Sequence, residues 1–174
     1  MVHLFSSKMI PTSNVTDLSL KYPDDESEKK VYLQARGPLS GSLHTPRHVW
    51  IFWDNGSSST AASGSNILIH QIIQLERWGD RFYYVEPNIK QRIRDKAQES
   101  QTYELGTFTR DQREKMLELA ADIQFNERSL HNGCRVWTRK LLGAMVNEGL
   151  LDRMDFVALI DLIPLPYEQP EYFY

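Results

Sequence analysis

Up to Phe108 the apolar residues of this chain come in short aromatic and β-branched runs; beyond it they recur at helical spacing. The first pattern predicts strands and the second amphipathic helices. Strands are expected at Val31–Arg36, His48–Trp53, Ile67–Ile73, Asp80–Val85 and Thr102–Phe108. The second of these is aromatic and β-branched, so it belongs in the middle of a sheet. Residues 54–65 are rich in Ser, Gly and Ala and predict a flexible hairpin connection. The charged stretch Asn88–Ser100 predicts a short exposed helix. Thr109-Arg110-Asp111-Gln112 is a capping-box signature. It opens a helix expected over 110–125, with Met116, Leu119, Ala120 and Ile123 on one face. A second helix is expected from Cys134 to Asn147, with Gly149 as C-cap. A last apolar stretch, Met154–Ile163, stops at Pro164 and Pro166. Strands first and helices after predict an α+β domain: an antiparallel sheet with two or three helices packed on one side. We divide the chain into a polar arm (1–30), one domain (31–166) and an aromatic, acidic tail (167–174).

Composition narrows the function classes. The chain has 174 residues, 41% of them apolar and 25% charged, enough for one proper core. A net charge of -3 argues against a nucleic-acid partner. No run approaches the roughly 20 apolar residues of a membrane span, and the N-terminus lacks the apolar stretch of a signal peptide. The cytosol is therefore the expected location, and the acceptor patterns at Asn14 and Asn55 are read as chance. One cysteine excludes an internal disulfide. No zinc spacing and no phosphate-binding glycine loop is present, so neither metal nor cofactor is expected.

That one cysteine, Cys134, follows the turn Leu130-His131-Asn132-Gly133 and opens a helix. Unpaired N–H groups and the helix dipole favour thiolate there, and Arg135, Arg139 and Lys140 add positive charge. The structural alternative is a packed apolar residue, because free Cys is among the most buried types. Cys134, Trp137, Leu141 and Met145 share a stripe. A nucleophilic thiol needs a base held by a third group. His48 and His70 lie in expected strands, whereas His3 and His44 do not, and His131 is too local to Cys134. If the faces of the two strands coincide, His48 and His70 become cross-strand neighbours. His48 is then the base and His70 its orienter. Arg135, Trp50 and Trp137 are candidates for substrate or oxyanion contacts.

His48-Val49-Trp50-Ile51-Phe52, Leu68-Ile69-His70 and Asn132-Gly133-Cys134-Arg135-Val136-Trp137 resemble the three motifs of the circularly permuted papain-like thiol superfamily, which includes lecithin:retinol acyltransferase. The resemblance spans residues 45 to 150, and Gly133 interrupts the Asn–Cys pair. It implies a permuted papain-like fold and acyl chemistry. Gly133-Cys134-Arg135-Val136-Trp137 and His48-Val49-Trp50 also resemble a fungal domain family of unassigned function, which implies a fungal, biosynthetic setting.

Three functions remain open. The first is a cysteine-dependent hydrolase or acyltransferase on an ester, thioester or amide of a small molecule. The second is a cyclase or isomerase using His48 as acid or base in the same pocket. The third is a noncatalytic binding domain. The aromatic cluster of Trp50, Phe52, Trp53, Trp78, Phe82, Tyr83 and Tyr84 is expected in the core, with part of it lining a pocket. Tyr167, Tyr172, Phe173 and Tyr174 offer an oligomer contact.

Overall fold

The computed structural model describes residues 18–37, 47–59, 66–86, 88–93 and 100–171. Five strands form one antiparallel sheet: β1 (Lys29–Arg36), β2 (His48–Ser59), β3 (Asn66–Ile73), β6 (Ile89–Ile93) and β7 (Ser100–Phe108). Their order is β6-β3-β2-β1-β7, so the aromatic strand is central, as its composition predicts. A separate hairpin pairs β4 (Leu75–Trp78) with β5 (Arg81–Tyr84) around Gly79, whose φ of 62° suits the turn. Three helices pack on one face of the sheet: α2 (Arg110–Asp122), α3 (Cys134–Asn147) and α4 (Arg153–Leu162). The domain is α+β, with helices on one side.

Strand alternation decides what meets what. Val49, Ile51 and Trp53 of β2 face the helices and join a core with Leu33, Trp137, Leu141, Leu142 and Met145. Trp50, Phe52 and Ile72 face the other way and form a second cluster with Tyr32. Full burial of a side chain the size of Trp53 or Trp137 is worth about 3 kcal/mol, so the α3–β2 seam holds the domain together. The capping box of Thr109 and Gln112 is present, and Asp152 caps α4. Gly149, at φ 70°, follows the Glu148 C-cap of α3 as the left-handed residue that ends the helix.

Three expectations need correction. Ile89–Ile93 is an edge strand paired with β3, not part of an exposed helix; charge on a strand edge guards against further pairing and mimics a solvated helix in sequence. The β2 strand runs on to Ser59, through a bulge at Asn55 where Gly56 takes φ 134°, so the hairpin connection is shorter than expected. Trp78 leaves the expected aromatic core: it sits 58% exposed at the β4–β5 turn. In the N-terminal arm, α1 (Leu18–Lys21) is a single helical turn. Behind it Asp24 pairs with the fully buried Arg113 of α2. His3, His44, Tyr172, Phe173 and Tyr174 lie outside the described residues.

Candidate functional site

A cleft of about 450 Å³ opens where the start of α3 meets the start of β2. Arg47 and His48 approach it from the start of β2, and Gly133, Cys134 and Arg135 from the start of α3. Leu75 and Phe82 of the hairpin form an apolar wall. Pro166, Tyr167 and Gln169 of the segment after α4 line it as well.

Local sequence explains each wall. Gly133 is the N-cap of α3 and supplies no side-chain cap. A Cβ there would lie 3.1 Å from Phe82 Cζ, so glycine permits the hairpin to close on the helix start. The segment after α4 cannot continue the helix past Pro164 and turns back across the cleft. It is tied down by the Asn132 side chain, which donates to Gln169 O and accepts from Gln169 N–H, both at 2.8 Å. The Glu171 carboxylate accepts from Ser129, Asn126 and Asn132, bonds that hold it below the usual carboxylate range. Arg139 lies 3.6 Å from the Tyr167 ring centroid and donates to Leu165 O.

The thiol sits at the head of α3, with Sγ 3.7 Å from Arg47 O. Burial pushes its pKa up, and this outweighs the N–H groups of Val49 and Arg135 and the Arg135 charge, which act to lower it. The helix terminus alone predicts a thiolate; desolvation reverses that. The S–H to Arg47 carbonyl contact describes a protonated thiol tying α3 to β2.

His48 is held from behind. Its Nε2 lies 2.9 Å from Gln74 Oε1, and Gln74 Nε2 donates to Glu76 Oε1 at 2.7 Å. Glu76 also accepts from Asn88 and pairs with Lys90. Burial works to raise the Glu76 pKa, but the bonds and charge from Lys90, Asn88 and Gln74 outweigh it and leave it lowered.

The other expected residues are elsewhere. His70 is paired in register with Asp54, six positions along β2 from His48, so the two imidazoles are not cross-strand neighbours. Its ring stacks on Phe52 at 4.5 Å, and Nε2 lies 2.9 Å from Asp54 Oδ1 at an angle unsuited to a hydrogen bond. Trp50 is buried in the second cluster, on the sheet face away from the helices. Trp137 is buried in the main core beside Tyr84. Neither lines the cleft; Arg135 does. His131, set aside in sequence as too local, lines it as well. Arg47 and Gln74 were missed. One flanks a strand and the other sits at a strand break, where a lone polar residue looks like ordinary surface.

Among the described residues no three His, Cys, Asp or Glu side chains gather as a metal site, and no helix is long and apolar enough to cross a membrane. No protein-family profile, no curated protein and no solved structure matches this chain. His48, Cys134 and several cationic residues line a space of small-molecule size, and the His48 ring rests 5.2 Å from the Trp50 ring and on Gln74.

Proposed function

We propose that this protein is a small-molecule enzyme in which His48 transfers protons at a ligand held in the cleft. The observation that carries the reading is the chain Glu76–Gln74–His48. A carboxylate only accepts, so Gln74 turns its NH2 to Glu76 and its carbonyl to His48. His48 Nε2 therefore carries a proton, and in the neutral ring Nδ1 is the basic nitrogen. An imidazole held in one tautomer suits general acid–base catalysis, and His48 is among the residues that line the cleft. Cys134, neutral and packed, acts here as a structural contact.

A second reading retains the thiol as nucleophile. It is favoured by Cys134 and His48 lining one cleft, with the N–H groups of Val49 and Arg135 facing the sulfur. Cys134 would then attack an acyl carbonyl while His48 takes its proton, and the first N–H groups of α3 would receive the oxyanion.

One experiment separates these. Wild type, His48→Gln and Cys134→Ser are assayed for loss of deuterium from α-deuterated oxo acids and for hydrolysis of nitrophenyl esters. Exchange lost in His48→Gln and kept in Cys134→Ser supports acid–base chemistry. Ester hydrolysis with an acyl burst, lost in Cys134→Ser, supports the thiol. Absence of both reactions in wild type removes the enzyme reading and leaves a binding domain.

A further inference from the structure

We propose that the cleft takes a small organic molecule bearing a carboxylate or phosphate group, seated between Arg47 and Arg135 at the N-terminus of α3. The inference rests on the reading that this cleft is the functional site, and it adds the class of ligand.

Arg47 is the main observation. It is 6% exposed, and its side-chain bond goes to Gln101, a neutral amide. Its Nε is buried with no hydrogen-bond partner among the described residues. A buried cation without a counter-charge is costly, and such groups are normally paired. Arg113, the other buried arginine among the described residues, shows the ordinary solution: it binds Asp24 through two nitrogens and three backbone carbonyls besides. Arg47 has no such acid among the described residues, and it lines the cleft.

The rest of the lining agrees in sign. Arg77, Arg135, His48 and His131 join Arg47, and no described lining residue is acidic, in a chain whose net charge is -3. The nearby carboxylates are engaged elsewhere: Glu76 with Lys90, Glu168 with Lys140, Glu171 with Ser129 and its neighbours. Desolvation pushes the Arg135 pKa down, the Cys134 sulfur acts against this and the Arg47 charge adds to it, while Arg135 donates to Pro164 O. An oxyanion there supplies the counter-charge that Arg47 lacks among the described residues, and the positive end of the α3 dipole adds to the attraction. Leu75, Phe82 and Tyr167 supply apolar surface for the body of the ligand.

The test uses benzoate, phenyl phosphate and neutral benzamide in isothermal titrations of the full chain. Benzoate or phenyl phosphate should bind saturably, and which is tighter identifies the oxyanion. Benzamide should bind at least about tenfold more weakly, and Arg47→Gln should lose about tenfold in affinity for the anion. Arg135→Gln, at a half-buried position, should show the same loss and keeps the test decisive where Arg47→Gln does not fold. Equal binding of benzamide and benzoate overturns the proposal, as does wild-type affinity in a folded Arg47→Gln or in Arg135→Gln, or no binding by either anion. Benzoate binding without proton exchange leaves the anion site standing and removes the catalytic reading. Exchange activity with no preference for anions does the reverse.

Discussion

Replacing Glu76 by Gln removes the charge that organises His48 while keeping the side chain's shape. In the native protein Glu76 accepts from Gln74 at 2.7 Å and from Asn88 at 2.8 Å, besides pairing with Lys90. A bond to a charged acceptor is worth about 1.5–3 kcal/mol and a neutral one about 0.5–1.5. Two amide donors thus lose roughly 1 kcal/mol each, and the half-exposed Lys90 pair adds about 0.5. A loss of about 2–3 kcal/mol in urea unfolding follows. The lowered Glu76 pKa fixes the pH dependence. A carboxyl lower in the folded state stabilises fully above its ordinary value of 4.5, and this is lost as pH falls through the lowered native value. The gap between wild type and Glu76→Gln should therefore be constant at neutral pH and close in acid. The site-level readout is the ¹⁵N shift pair of the His48 ring. With Glu76 in place Nε2 carries the proton. In the Glu76→Gln variant the Gln74 amide is free to turn, and the two nitrogens should move toward averaged values. An unchanged His48 tautomer in a destabilised Glu76→Gln would refute the orienting role.

Asp24→Asn should cost about 3 kcal/mol, because it leaves Arg113, fully buried, without its carboxylate; a urea-derived change below about 1 kcal/mol would contradict this. Burial acts to raise the Asp24 pKa, yet Arg113 and Lys29 override it, so its contribution holds above 3.8 and fades as pH falls through the lowered native value. Gly133→Ala forces a contact of 3.1 Å onto Phe82 Cζ and should cost about 1–2 kcal/mol while weakening benzoate binding, both read by titration and thermal melts; wild-type behaviour would show that the hairpin yields freely. Cys134 should react with iodoacetamide at pH 8 more slowly than the unfolded chain. Its raised pKa also means that its stabilisation, present at neutral pH, is lost as pH rises through the native value, a loss Cys134→Ala should not show in melts at increasingly alkaline pH.

What was legible in the sequence was periodic or local. Alternation and helical spacing predict the central strand, the capping box at Thr109 and the helix opening at Cys134, because each depends on residues within a turn or two. Register is different. The bulge at Asn55 and the Asp54–His70 pairing set where His70 lies, and neither has a signal short of the folded sheet. The same alternation that puts Val49 against the core turns the His48 side chain off the face that carries the thiol, and it meets the cleft only because it begins its strand. Charge at the site was hidden by distance along the chain. Arg47, Arg77 and Arg135 come from three segments, each with acidic residues nearby in sequence or none to notice, and the net charge of -3 points the other way. An acidic protein gathers a positive cleft by folding its carboxylates onto other partners, Glu76 to Lys90 and Glu168 to Lys140, and among the described residues Arg47 meets only an amide. The cost of burying that charge beside a neutral partner is the binding energy an anion would recover there.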